Sequence, residues 1–346
     1  MMMSRFLLRG AASSMRKCAR NGVADRPGGA LGNSVADRGE TALGNSVADR
    51  HDRVAKSAAS SRAVYLSEDK MLHLWTETRQ GRVMSIEFAD REGFETVDTR
   101  VAMYDTFLHV HDPPIYLASE DCSGCQAYMW VDGETLIIAF SGTQDHEDVM
   151  ANLDVQLTPI TQAEAEAEAE GCVMCRERPG VQRGFMRRHD SLSPRITDLI
   201  LQMERDHVIS RIVCTGHSLG GADAALCALL TILPTLKRAE EARKDVAVPV
   251  VIVHTFGSPC IGNSEFSEWA NAALGENLRI VHVLDVIAYL PLRRRAVGKR
   301  ITLTNVHDKD AKDRWFWERL IITFHFHMME QYVVWMREPA SARYFE

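Results

Sequence analysis

Short, continuous apolar runs alternate with helix-patterned segments through the second half of the chain. Leu136-Ile-Ile-Ala-Phe140, Arg211-Ile-Val-Cys-Thr215, Val248-Pro-Val-Val-Ile-Val-His254 and Leu278 to Leu284 read as strands. Unbroken apolar character without polar alternation marks strands buried on both faces. Between them, Ser191 to Asp206, Ala222 to Leu230 and Glu265 to Leu274 carry helical composition. Strand–helix alternation of this kind predicts an α/β fold with a mostly parallel central sheet and helices on both faces. Earlier, Glu68 to Gln80 and Thr99 to Val110 are predicted helices, the second closed by Pro113-Pro114. Gln126 to Val131, Asp132-Gly133 and Leu136 to Phe140 predict a hairpin.

The first sixty residues differ in kind. Met1 to Ala24 carries Arg5, Arg9, Arg16, Lys17 and Arg20 with serines and no acidic residue, a composition like that of a mitochondrial transit peptide. A merely basic tail is the alternative. A twelve-residue period follows: Asn21-Gly-Val-Ala-Asp-Arg26, Asn33-Ser-Val-Ala-Asp-Arg38 and Asn45-Ser-Val-Ala-Asp-Arg50. Units this short and poor in large apolar residues predict a flexible linker rather than a solenoid. The expected organisation is therefore a disordered leader over 1–60 and one α/β domain over 61–346. An acidic insertion over 161–178 holds the Ala/Glu alternation of Ala163 to Glu170.

Composition narrows the partners. Of 346 residues, 46% are hydrophobic and the net charge is −7, so a large core is affordable and no basic field for nucleic acid exists. No apolar run reaches the roughly eighteen residues of a spanning helix; Leu320 to Met336 is broken by His325, His327, Glu330 and Gln331. The expected protein has no transmembrane segment and at most touches a membrane or lipid surface peripherally. Eight cysteines in a chain this long do not make a disulfide scaffold. A soluble intracellular protein is expected, with mitochondrial targeting as the variant. Cys122-Ser-Gly-Cys125 and Cys172-Val-Met-Cys175 are two Cys-x-x-Cys units whose thiolates suit a structural zinc, against free or disulfide-bonded pairs.

The chemistry concentrates at Gly216-His-Ser-Leu-Gly-Gly221. It lies between a predicted strand and a predicted helix, where a Gly-x-Ser-x-Gly turn strains the serine backbone and exposes its hydroxyl. A serine needs a base, and the base an orienting carboxylate, in the chain order Ser, Asp, His on such a turn. Asp285, closing the strand Leu278 to Leu284, is the expected acid. His307, His325 and His327 follow it; His307 sits in a charged stretch, and the residues alone leave His325 and His327 open. The oxyanion donors expected are the Leu219 amide and the loop Phe140-Ser-Gly-Thr143, with Thr143 adding its hydroxyl.

Together these segments resemble the class 3 (fungal-type) lipases of the α/β-hydrolase fold. The resemblance rests on Phe140-Ser-Gly-Thr143, Gly216 to Gly221, Thr255-Phe-Gly-Ser-Pro259 with Gly262-Asn263, Asp285 to Pro291, and Val297-Gly-Lys299. It implies Ser218 as nucleophile, Asp285 as acid, and Thr143 as oxyanion residue. It favours His327 as base, because His327-Met-Met-Glu-Gln-Tyr332 is similar to the family's terminal histidine segment. It further implies a serine hydrolase of ester lipids that needs no cofactor. Phospholipase A1, acyltransfer and a non-catalytic lipase-like scaffold are the alternatives. The chain departs from the family at Ser141 (usually arginine), Gln182 (usually histidine) and Val149 (usually a lid tryptophan). With Asp145, Glu147 and Asp148, the expected lid, 144–152, is acidic and suited to weak lipid-surface contact.

Overall fold

The computed structural model describes residues 46–80, 102–103, 105–120, 124–142, 156–161, 178–242, 247–291, 294–304, 327 and 329–337. A seven-stranded sheet forms the centre, in the order β1-β2-β3-β6-β7-β8-β9. Its strands are β1 (Ile115–Ala118), β2 (Gln126–Asp132), β3 (Thr135–Phe140), β6 (Arg211–His217), β7 (Val250–Phe256), β8 (Glu276–His282) and β9 (Lys299–Leu303). β1, β2 and β3 pair antiparallel, whereas β3, β6, β7, β8 and β9 run parallel. The mostly parallel α/β prediction therefore holds. β4 (Leu157–Pro159) and β5 (Gly180–Gln182) make a separate antiparallel pair. The predicted hairpin is present, but Asp132 pairs with Thr135, so Gly133 and Glu134 form the turn. Gly133 takes the positive φ, +59°, that its first central position requires.

One face is covered by α3 (Arg183–Asp206) and by α4 (Leu219–Leu226), which continues through a π-helical turn, Cys227–Ile232, into α5 (Leu233–Ala242). α3 buries Phe185, Leu192, Ile196 and Ile200 on one stripe. Leu219–Ala242 is the one helix among the described residues long and apolar enough to cross a membrane. Its most apolar stretch is 83% buried inside the protein, as a core helix would be. α6 (Ser264–Ala273) follows β7, its Asn263 side chain accepting the Phe266 amide as an N-cap.

The other face corrects the expected leader. Residues 47–63 are not a linker but helix α1 (Val47–Ala63), laid along the sheet and followed by α2 (Glu68–Arg79). The third repeat copy starts it: the Ser46 hydroxyl accepts the Asp49 amide at 3.0 Å, and Asp49 complements the helix N-terminus. The small side chains that made this stretch resemble a linker let the helix approach the sheet closely. Ser57, Ala58, Ala59, Ser60, Ser61 and Ala63 are all buried. Beside α1 lies α7 (Met329–Arg337), whose Met329, Val333 and Met336 join Val54, Ala58, Ile280 and Leu303 in one core cluster. The two preceding repeat copies and most of the acidic insertion lie outside the described residues.

Candidate active site

The elbow is built by close backbone approach. Ser218 has φ 56° and ψ −125° and is the one non-glycine residue at positive φ among the described residues. Its amide donates to the Phe256 carbonyl at 2.9 Å, and its carbonyl accepts the Gly221 amide at 3.0 Å. A Cβ at Gly220 would strike the Phe140 carbonyl, and one at Gly216 would strike the Gly220 carbonyl. Both neighbours are main chain, so glycine is required for the turn to sit against β3. α4 begins at Leu219, earlier than the predicted Ala222, and places the Leu219 amide in the first turn, where no intrahelical acceptor exists.

Three side chains converge: Ser218 and Asp285 from just beyond the carboxyl ends of β6 and β8, and His327 from just before α7. His327 Nε2 lies 2.8 Å from Ser218 Oγ, and its Nδ1 lies 2.9 Å from both Asp285 carboxylate oxygens. Because a carboxylate only accepts, Nδ1 carries the proton and Nε2 presents its lone pair to the serine hydroxyl. Asp285 is held in turn: Oδ1 accepts the Ile287 and Ala288 amides at 3.0 and 3.3 Å, and Oδ2 accepts the Tyr332 hydroxyl at 2.7 Å. Burial, then the Asp285 charge, raises the Tyr332 phenol well above its ordinary range, so it stays a donor. Gly257, at φ +58°, makes room for this: a Cβ there would lie 2.7 Å from Asp285 Oδ2 and 3.0 Å from His327 Nδ1. Ser218 is 1% exposed and Asp285 and His327 are fully buried, so the constellation is shielded from bulk solvent and its electrostatics are little screened.

Supporting groups surround it. Arg279 donates from Nε and Nη2 to the Ser258 carbonyl at 3.1 and 2.9 Å, and also to the Ala288 carbonyl, tying the loops after β7 and β8 together. His282 stacks on Trp335 with centroids 4.5 Å apart, and burial pushes its imidazole down to about 4. The loop after β3 reaches the nucleophile: a Cβ at Gly142 would be 3.3 Å from Ser218 Cβ, and the Ser141 hydroxyl donates to the Gly142 carbonyl at 2.9 Å. Thr143, the expected lid, His307 and His325 lie outside the described residues. At the family's histidine position, Gln182 donates from Nε2 to the Cys260 carbonyl at 2.8 Å, a loop-bracing contact.

Of the predicted site residues, the structure thus brings together Ser218, Leu219, Asp285 and His327. Of the four zinc candidates, Cys125 is described and Cys122, Cys172 and Cys175 are not. The buried Cys125 thiol points into the core at Asp223 (3.6 Å), beside the Arg188–Asp223 ion pair of 2.7 Å. Burial, then the Asp223 charge, pushes it far above the ordinary thiol range, so it is a protonated donor in this arrangement, which does not fit a zinc thiolate. Sequence reasoning missed Tyr65, Arg279 and the face of α1. The missed signal was a polar residue at every fourth position, Arg53, Ser57, Ser61 and Tyr65, along α1 and just past its end.

Architecture and site define an α/β-hydrolase fold with a nucleophile elbow. Residues 137–295 match the family model described as lipase (class 3). Among curated relatives, phospholipase A(1) DAD1 of Arabidopsis thaliana is 32% identical over 163 residues, 45% of this chain and 33% of that protein. A lipase of Rhizomucor miehei is 27% identical over 111 residues, 32% of this chain and 28% of its own. The chain spans about a third or less of the length of these relatives. Among solved structures, a deletion mutant of the Rhizomucor miehei lipase propeptide complex superposes with TM-score 0.52 at 18% identity, covering 84% of this chain and 80% of that one. Lipase II of Rhizopus niveus gives 0.51 at 15%, covering 75% and 82%. At these identities, the structural likeness concerns the fold.

Proposed function

We propose that this chain is a carboxylic ester hydrolase acting on ester lipids through an acyl-serine. The observation that carries the reading is the unbroken line Ser218–His327–Asp285 at 2.8 and 2.9 Å on a strained elbow. His327 takes the Ser218 proton as Oγ attacks the acyl carbonyl; Asp285 stabilises the imidazolium. The Leu219 amide and Thr143 hold the tetrahedral oxyanion. His327 then protonates the leaving alcohol, and water, deprotonated by the same histidine, releases the acid. The site needs no cofactor. A zinc on Cys122, Cys125, Cys172 and Cys175 would require Cys125 to leave Asp223, and metal analysis of purified protein tests it. Phospholipase A1 action is the favoured variant, since relatives from Arabidopsis thaliana and Oryza sativa carry that name. Intracellular residence with peripheral lipid contact completes the reading, and localisation of a tagged full chain tests it.

A fluorophosphonate probe should label the wild type and not Ser218→Ala, whose kcat should fall by about 10⁶-fold. A folded wild type that takes no label overturns the hydrolase reading in favour of a scaffold. A panel of phospholipids, acylglycerols and simple esters, with and without an acyl acceptor, then separates phospholipase A1, lipase, esterase and transferase.

A further inference from the structure

α1 is indexed along the sheet by one polar contact per turn. Arg53 Nη2 pairs with Glu276 at 2.7 Å, Ser57 Oγ bonds His254 Nδ1 at 2.8 Å, and Ser61 Oγ bonds Thr215 Oγ1 at 2.8 Å. The next step of the same spacing, just past the helix end, is Tyr65, whose hydroxyl lies 2.7 Å from His217 Nδ1. His217 directly precedes the nucleophile, and its other nitrogen, Nε2, bonds the main-chain carbonyl of His327. A carbonyl only accepts, so Nε2 carries the proton; in the neutral ring, Nδ1 is then an acceptor and Tyr65 donates to it. The bonds therefore run in one sense, from Tyr65 to His217 to the His327 carbonyl. The hydroxyl also rests on the loop after β3: a Cβ at Gly142 would collide with it.

We propose that Tyr65 is a positioning residue for the acyl-transfer site, acting through the His217 ring to hold the main chain of His327. This rests on the hydrolase reading above and deepens it. Asp285 orients the His327 ring at Nδ1, and the His217 ring packs against it with centroids 4.7 Å apart, but neither ring contact fixes the His327 main chain. Holding the carbonyl of the same residue does so and keeps Nε2 aimed at Ser218 Oγ. A misplacement of this kind reduces turnover more than substrate binding. The N-terminal helix thus has a share in the chemistry without touching the substrate, and the seam of Arg53, Ser57 and Ser61 sets where along the sheet the hydroxyl arrives.

The test uses the full chain with Tyr65→Phe, His217→Asn, their double variant, and, as a control on the same helix but outside the seam, Lys56→Ala, which breaks the ion pair with Asp132. Tyr65→Phe should lower kcat roughly 10- to 100-fold with KM nearly unchanged. The double variant should be no worse than His217→Asn alone, because the two act in one chain. Lys56→Ala should keep kcat. Wild-type kcat in Tyr65→Phe, or additive losses in the double variant, overturns the proposal. Should Tyr65→Phe not fold, His217→Asn reads the relay from its other end, and full activity there also overturns it. ¹⁵N-histidine spectra make the outcome independent of turnover. They should show the Nε2–H form of His217 in wild type, with both His217 and His327 signals moving in Tyr65→Phe. If the wild type hydrolyses nothing and takes no probe, the hydrolase reading fails, and an unmoved His327 signal is what defeats the relay.

Discussion

The two faces of the sheet hold the same site by different means. On the α4 side, between β3 and β7, position is set by main chain. Gly216 and Gly220 permit carbonyl contacts, the Ser218 amide bonds the Phe256 carbonyl, and behind them lies an apolar cluster that also encloses the Arg188–Asp223 ion pair. On the α1/α7 side, position is set by side chains: Arg53, Ser57, Ser61 and Tyr65 from α1 and its end, and Tyr332 from α7. The family match covers the first region and stops before His327, Tyr332 and, at its other end, Tyr65. The nucleophile and acid therefore belong to a stretch whose geometry follows from backbone sterics, which tolerate little change. The base and its props belong to an outer layer, held by hydrogen bonds that different residue types can supply. A strained turn has few solutions; a helix lying on a sheet has many.

The comparison can be broken at its centre or sharpened at its edges. The largest effect is expected for His327→Ala, which should lower kcat about 10⁵- to 10⁶-fold with the fold unchanged by circular dichroism. A loss below about tenfold would mean that His325 supplies the base and that the outer layer is not what completes the site. Next, Gly220→Ala should destabilise by about 3–5 kcal/mol or prevent soluble expression, since its Cβ meets the Phe140 carbonyl and nothing flexible can yield. A thermal melt within two or so degrees of wild type would show that the elbow is not backbone-limited.

Tyr332→Phe should act more mildly, because Asp285 keeps its two amide donors. The lost bond to a charged acceptor is worth about 1.5–3 kcal/mol, read as a fall in kcat of about tenfold and a lower melting temperature. The smallest effect concerns α1 and pH. Burial alone would raise the Glu276 carboxyl; hydrogen bonds from His254 and Arg53 outweigh it and hold it down at about 2. A carboxyl depressed by folding stabilises above its unfolded value and loses that contribution as pH falls from about 4.5 to about 2. Arg53→Gln should therefore cost about 1–2 kcal/mol near neutral pH, and less at pH 2–3, as acid titration of both proteins by circular dichroism would show. Equal losses at both pH values would assign Arg53 a packing role instead.

Much of the inner region was legible beforehand. Apolar runs without alternation marked β3, β6, β7 and β8 as buried strands, and the places of Ser218 and Asp285 follow from the carboxyl ends of β6 and β8, which face one edge of the sheet. The boundaries shifted where sterics outran composition: β6 runs on to His217, and the helix starts at Leu219, because the elbow leaves no residues to spare between them. α1 was misread, and the reason is physical. Alanine and serine contribute little hydrophobic pattern, so a helix that packs by closeness and hydrogen bonds has the composition of a linker. Likewise, spacing alone could not show that the Cys125 thiol faces the core and donates to Asp223.

What the residues determined by themselves was the inner half of the site. Gly-x-Ser-x-Gly between an apolar strand and a helix former run admits one local geometry, and that geometry puts the hydroxyl at the strand's carboxyl end. What only tertiary structure decided was the outer half. The donation of Tyr332 to Asp285 and the reach of Tyr65 to His217 join residues 47 and 152 positions apart. No local spacing encodes such pairs, because their meeting depends on how two terminal helices lie across a sheet that neither helps to form.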